Sequence, residues 1–194
     1  MKYFQGWEEK VDFNRSFKLM EEIVNKDSNV QKKDFNIALY FLALFFERGY
    51  GVEKNIHKAI DYYNQSITFN NPISMNNIAY IYHHGLEGIE KNIHKAIRFY
   101  SESVDLGNPV AMNNLAYIYF NGSDGIEKNI IQATHLFNRA IDLGNSMAIN
   151  HIAFIYENGL GGFDRDLPKS IQLYQRASEL GDEFAKNKLK ELSI

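Results

Sequence analysis

The stretch Glu90-Lys91-Asn92-Ile93 returns 37 residues later as Glu127-Lys128-Asn129-Ile130. One step earlier stands Glu53-Lys54-Asn55-Ile56, and one step later Asp164-Arg165-Asp166-Leu167. The same period links Ala59, Ala96, Ala133 and Ser170, and also Tyr63, Tyr100, Phe137 and Tyr174. It links Leu106-Gly107-Asn108, Leu143-Gly144-Asn145 and Leu180-Gly181-Asp182. Self-similarity at a fixed period of this length marks a repeat array. Four units are expected, at residues 36–71, 72–108, 109–145 and 146–182. The first is one residue shorter, in the loop Gly49-Tyr50-Gly51.

Each unit reads as two helices. In the third, Gly107 stops the preceding helix, Asn108 can cap the next, and Pro109 fits its first turn. Ala111, Met112, Leu115, Ala116 and Tyr119 then recur at helical spacing. Gly122 supplies a C-terminal cap, and Asn129 caps a second helix with Ala133, Leu136, Phe137, Ala140 and Ile141 inward. Small residues at Ala43, Ala79, Ala116 and Ala153, and at Ala59, Ala96, Ala133 and Ser170, let paired helices approach closely. One helix pair cannot bury both faces, so the units must stack.

The ends differ from the interior. Phe17, Met20, Ile23 and Val24 form an amphipathic stripe from about Asp12 to Asn25. Residues 1–35 are therefore expected to hold a capping helix, with Trp7 beside it, and a polar connector. Residues 183–194 map onto a fifth first helix, where Phe184, Ala185, Leu189 and Leu192 keep the inner stripe. Lys186 and Lys190 replace core residues there and give the polar outer face a terminal helix needs.

Composition excludes several chemistries. The absence of cysteine removes disulfides, thiolate metal sites and cysteine nucleophiles. A net charge of −3 argues against nucleic acid as a partner. The longest apolar run, residues 37–46, is half the roughly 20 residues of a membrane span, and no apolar segment follows Lys2. A cytoplasmic protein is expected. The bias toward Asn and Ile suits AT-rich coding, and with it the cytoplasm of a host, were the source an intracellular parasite or a large virus.

The loops Gly85-Leu86-Glu87-Gly88 and Gly122-Ser123-Asp124-Gly125 lack the Gly-Lys-Ser/Thr of a phosphate loop. A calcium loop from Asn121 would need an acid where Gln132 stands. The histidines form no ligand set, and no catalytic triad or carboxylate pair emerges. No catalytic residue, metal or cofactor is expected.

The units resemble the Sel-like repeat (SLR) family, which is related to the tetratricopeptide repeat. The resemblance rests on Ala111, Leu115-Ala116, Tyr119, Gly122, Gly125-Ile126, Asn129, Ala133, Leu136-Phe137, Arg139-Ala140 and Gly144, in register across four units. It implies an all-α fold, a right-handed α-solenoid of antiparallel helix pairs. It also implies an adaptor role, and first helices that line a concave surface. Family members serve in endoplasmic-reticulum quality control and in bacterial signalling and host interaction.

The faces of the first helices turned from the core stripe are then the candidate peptide-binding groove: Asn76, Asn77, Tyr80, His83 and His84; Asn113, Asn114, Tyr117 and Phe120; Asn150, His151 and Phe154; and Asn187. Asn76, Asn113, Asn150 and Asn187 recur at one helical position, although Asn is a poor helix former. A side-chain amide offers both a donor and an acceptor to a peptide main chain. Packed helices about 10 Å apart match three residues of extended chain at roughly 3.3 Å each. The reading is a non-catalytic adaptor, a monomer or small oligomer, that binds a protein or peptide. The alternative is an accessory subunit of an enzyme or metal-dependent complex, built around His83 and His84.

Overall fold

The computed structural model describes residues 12–25, 31–122 and 124–192. The expected position of Trp7 and most of the connector before Gln31 lie outside the described residues. Ten helices are present among those described, with no strand. The chain divides into two compact units, one ending at Lys91 and the other beginning at Asn92.

The first unit holds α1 (Phe13–Asn25), α2 (Lys32–Arg48), α3 (Ile56–Ile67) and α4 (Pro72–His84). α2 and α3 pack as a pair, with α1 against α2 and α4 against α3. Ala43 and Ala59 are fully buried, and so are Leu39, Leu42 and Tyr63. α1 lays Phe17 against Phe45 and Phe46, with ring centroids 6.2 and 5.5 Å apart. It leaves Ile37 and Phe41 of α2 exposed, so it covers only one end of that apolar helix. An apolar cleft of about 340 Å³ lies between α1 and α2, lined by Phe13, Met20, Phe41, Leu44 and Tyr50 among others.

The second unit holds α5 (Ile93–Asp105), α6 (Pro109–Asn121), α7 (Ile130–Asp142), α8 (Met147–Asn158), α9 (Leu167–Glu179) and α10 (Glu183–Glu191). Consecutive helices pack in chain order from α5 to α10. Ala111, Ala133, Phe137, Ala140, Ala153 and Tyr174 are fully buried. The last cluster joins Ile149, Ala153, Tyr174, Ala177 and Ala185, with Leu189 and Leu192 against it. Phe184 departs from the expected inner stripe and stands exposed. It occupies the same register as exposed Val110 and Met147.

Asparagine supplies most of the caps. The side chains of Asn55, Asn92, Asn129 and Asp166 each accept the N–H three residues on, at the start of α3, α5, α7 and α9. Asn71 and Asn108 do the same for α4 and α6, ahead of their first-turn prolines. Asn145 accepts from Ala148 N–H and also donates to the Pro109 carbonyl at 3.2 Å, tying α8 to the start of α6.

Candidate partner-binding face

On α4 the candidate residues divide by depth. Ile73 and Tyr80 are nearly half exposed, seven residues apart on one stripe. Asn76, between them, is buried. Its neighbour Asn77 turns toward α3, donating a 2.9 Å hydrogen bond to the Tyr63 hydroxyl. Tyr63 in turn donates to Glu47 Oε2 of α2 at 2.6 Å. Burial beside that carboxylate pushes the Tyr63 hydroxyl far above its ordinary range. Tyr80 packs on His84, with ring centroids 4.0 Å apart, and His83 lies beside His84 at 4.5 Å. A polar cavity of about 220 Å³ opens nearby, lined by Glu47, Arg48, Lys54, Tyr80 and Glu87 among others.

In the second unit the same division recurs. Val110 and Tyr117 are exposed on α6, and Met147 and Phe154 on α8. Each pair is seven residues apart, so each marks one stripe of its helix. Between them sit Asn113, buried, and Asn150, half-buried. The Oδ1 atoms of both are shielded from solvent and have no hydrogen-bond partner. Asn113 lies beside Met112 and one turn before Ala116, both core residues, which draws its position into the seam. Of the four-residue amide row, Asn187 alone is exposed, on α10.

Tyr117, Phe120, His151 and Phe154 meet as an aromatic cluster. Tyr117 and Phe120 lie 5.7 and 6.2 Å from the His151 ring, and Phe120 lies 6.1 Å from Phe154. His151 stacks on Phe137 of α7 at 4.5 Å and 15°. Burial lowers its pKa, because the charged imidazolium loses its hydration there. Asn114, half-buried, lies one residue beyond Asn113.

One arrangement escaped the sequence reading. Asn77, Asn114, His151 and Lys188 share a repeat position, as do Glu47, His83, Phe120 and Glu157, and Tyr63, Tyr100, Phe137 and Tyr174. In the first unit the three positions form the chain Glu47–Tyr63–Asn77. At the end of the second unit they form Glu157–Tyr174–Lys188, with the tyrosine donating at 2.9 Å and the lysine 3.2 Å from the carboxylate. One repeat before that, Phe120, Phe137 and His151 stand at the three positions, and the contact is made by rings alone. The concerted change of residue type along the 37-residue register was the available signal.

Among the described residues no group of three His, Asp or Glu is arranged to hold a metal ion. No helix among them is long and apolar enough to cross a membrane.

Paired helices with small residues at their seams, a recurring cap and two exposed apolar positions per first helix define an all-α helical-repeat protein. The chain belongs to the Sel1 repeat family, whose repeat matches residues 36–68, 72–108, 109–145 and 146–182. That family generally provides scaffolds for protein–protein interaction. A Sel1 repeat protein from Oxalobacter formigenes superposes with a TM-score of 0.80 at 22% identity, over 93% of this chain and 70% of that one. A protective antigen of uropathogenic Escherichia coli with an SLR fold gives 0.75 at 20% identity. This chain is covered to 93% in that match and spans 41% of the antigen. An immunity protein from Pseudomonas aeruginosa gives 0.56 at 20% identity, over 91% of this chain and 69% of the other. These likenesses establish the α-solenoid fold. No curated protein matches the sequence significantly.

Proposed function

We propose that the chain is a non-catalytic adaptor that holds a protein or peptide segment on the exposed stripes of its first helices. The observation that carries this reading is the recurrence of exposed apolar residues at two fixed positions. Ile73 and Tyr80, Val110 and Tyr117, and Met147 and Phe154 are each about 38–52% exposed. A solvated face would scatter such residues singly, whereas an apolar stripe that recurs on each first helix favours contact with a partner. α6 and α8 carry a single charged residue, Glu157, so apolar contact and hydrogen bonding dominate there.

The amides of Asn113 and Asn150 lie just beneath the rows. A buried acceptor without a donor costs about 1–3 kcal/mol. Rotation of the side chain toward a partner's main-chain N–H would recover that cost, so the amide row contributes on binding. The module acts in the cytoplasm, its own or a host's, as a monomer or small oligomer.

The test is affinity capture with wild-type protein and with a Tyr117→Ser, Phe154→Ser variant, both checked for equal melting. Partners lost from the variant and retained by a control such as Ile131→Ser, exposed on α7, support the reading. Identical capture by all three places partner binding elsewhere.

A further inference from the structure

We propose that the aromatic cluster of Tyr117, Phe120, His151 and Phe154 is a cation site, which seats a lysine or arginine side chain of the partner segment. The inference rests on the reading that the α6–α8 face is the binding face, and it names the chemistry of what binds.

Three observations carry it. First, the rings are set at steep angles, 70° between Phe120 and Phe154 and 58° between Tyr117 and His151. In such pairs one ring turns its edge to the other, and an outward-turned aromatic face attracts a cation through its quadrupole. Tyr117 and Phe154 form the open rim.

Second, the two helices that carry the rings bring no Lys or Arg of their own, and the one cation at the rings, Lys128, comes from the loop before α7 and lies on Phe120. Phe120 lies in the last turn of α6 and Phe154 in the last part of α8, where the peptide dipoles leave partial negative charge. The carbonyl ends there are dressed by neutral amides: Asn121 donates to Tyr117 O and Asn158 to Phe154 O, at 3.0 and 2.9 Å.

Third, the protein already seats one of its own cations on this cluster. Lys128 Nζ lies 5.5 Å from the Phe120 ring centroid. The device recurs in the same unit, where Lys169 Nζ lies 3.9 Å from the Tyr156 ring. Lys128 reports that a Phe120 face accepts an ammonium. Tyr117 and Phe154, the exposed rings of the cluster, offer their outer faces to a side chain arriving from outside.

The experiment is an NMR titration of the full chain with tetramethylammonium, and in parallel with neopentyl alcohol, an uncharged molecule of similar size. The expected result is saturable shifts of the Tyr117, Phe120 and Phe154 ring signals with the cation and clearly smaller ones with the alcohol. Phe154→Leu keeps an apolar side chain and removes the ring, and should weaken cation binding about two- to five-fold. Equal responses to the two probes, or ring signals that do not move with the cation, overturn the cation site. A captured partner allows a second arm, with its Lys and Arg residues replaced by norleucine. Undiminished binding would overturn the cation site and leave the proposed function standing. Binding that is indifferent to Tyr117→Ser and Phe154→Ser would instead remove the proposed function itself.

Discussion

The Tyr174 hydroxyl donates a 2.9 Å hydrogen bond to Glu157 Oε2 across the α8–α9 seam. Burial and the carboxylate together push that hydroxyl above its ordinary pKa, which favours its role as the donor. Tyr63 and Glu47 repeat the pair at 2.6 Å in the first unit. Hydrogen bonds to a charged group contribute about 1.5–3 kcal/mol. Tyr174→Phe and Tyr63→Phe should each lower stability by that order in chemical denaturation. Phe137→Tyr, which brings a hydroxyl beside Phe120 instead of a carboxylate, should also destabilise, by about 1–3 kcal/mol. A neutral Tyr174→Phe would show that the seam does not depend on the bond.

The lowered pKa of His151 gives a pH dependence with a definite sign. The folded protein keeps the imidazole neutral, while the unfolded chain takes up a proton near its ordinary pKa of about 6.5. The contribution is therefore fully present above pH 6.5. It is lost as pH falls from there through the lower folded pKa. Denaturation midpoints at pH 7.5 and 5.5 should differ more for wild type than for His151→Asn. An equal difference would remove His151 as the cause.

Two adjacent glycines should respond very differently to alanine. A Cβ on Gly161 would stand 2.3 Å from the Cβ of Ile130, with φ at +68°. A Cβ on Gly162, φ +86°, would meet nothing within 4 Å. Gly162→Ala should cost about 1–2 kcal/mol for the left-handed backbone alone. Gly161→Ala should add overpacking of about 1–3 kcal/mol. Thermal melting of the two variants tests the order, and the reverse order would refute the close approach of this loop to α7.

Ala116 is fully buried in the α6 seam. Ala116→Trp should destabilise the second unit by at least the roughly 1–3 kcal/mol typical of overpacking. An unchanged melting curve would contradict a close helix contact at this position.

The amide row should separate binding from stability. Asn113→Ala and Asn150→Ala remove buried acceptors that have no partner, so melting should hold or rise slightly. Affinity for a captured partner should fall by about 0.5–1.5 kcal/mol for each residue. Unchanged affinity in the double variant would exclude the row from binding.

The helical repeats were legible because their signals are local and repeated: a capping Asn or Asp, an Ala at each seam, a Gly at each stop. The start of α2 was not. The sequence placed the first unit at Asn36, yet the helix begins at Lys32, four residues earlier. No Leu-Gly-Asn stop precedes it, and nothing local forbids the extra turn. The depth of Asn76 and Asn113 was also hidden. Asn reads as a surface residue from composition, whereas its burial here comes from a register shared with core neighbours. The Glu157–Tyr174–Lys188 tie joins residues on three helices, and no local pattern announces such a contact.

The ring-lined tie of Phe120, Phe137 and His151 has a consequence for how such arrays recombine. Its members belong to two successive repeats, so a crossover in the loop between them, near residue 145, separates Phe137 from His151. A transplanted repeat would then set an aromatic seam against a polar one. Breakpoints inside a first helix, between His151 and Glu157, divide no tie. The cassette that can be duplicated or exchanged without a mismatched joint therefore runs from the middle of one first helix to the middle of the next.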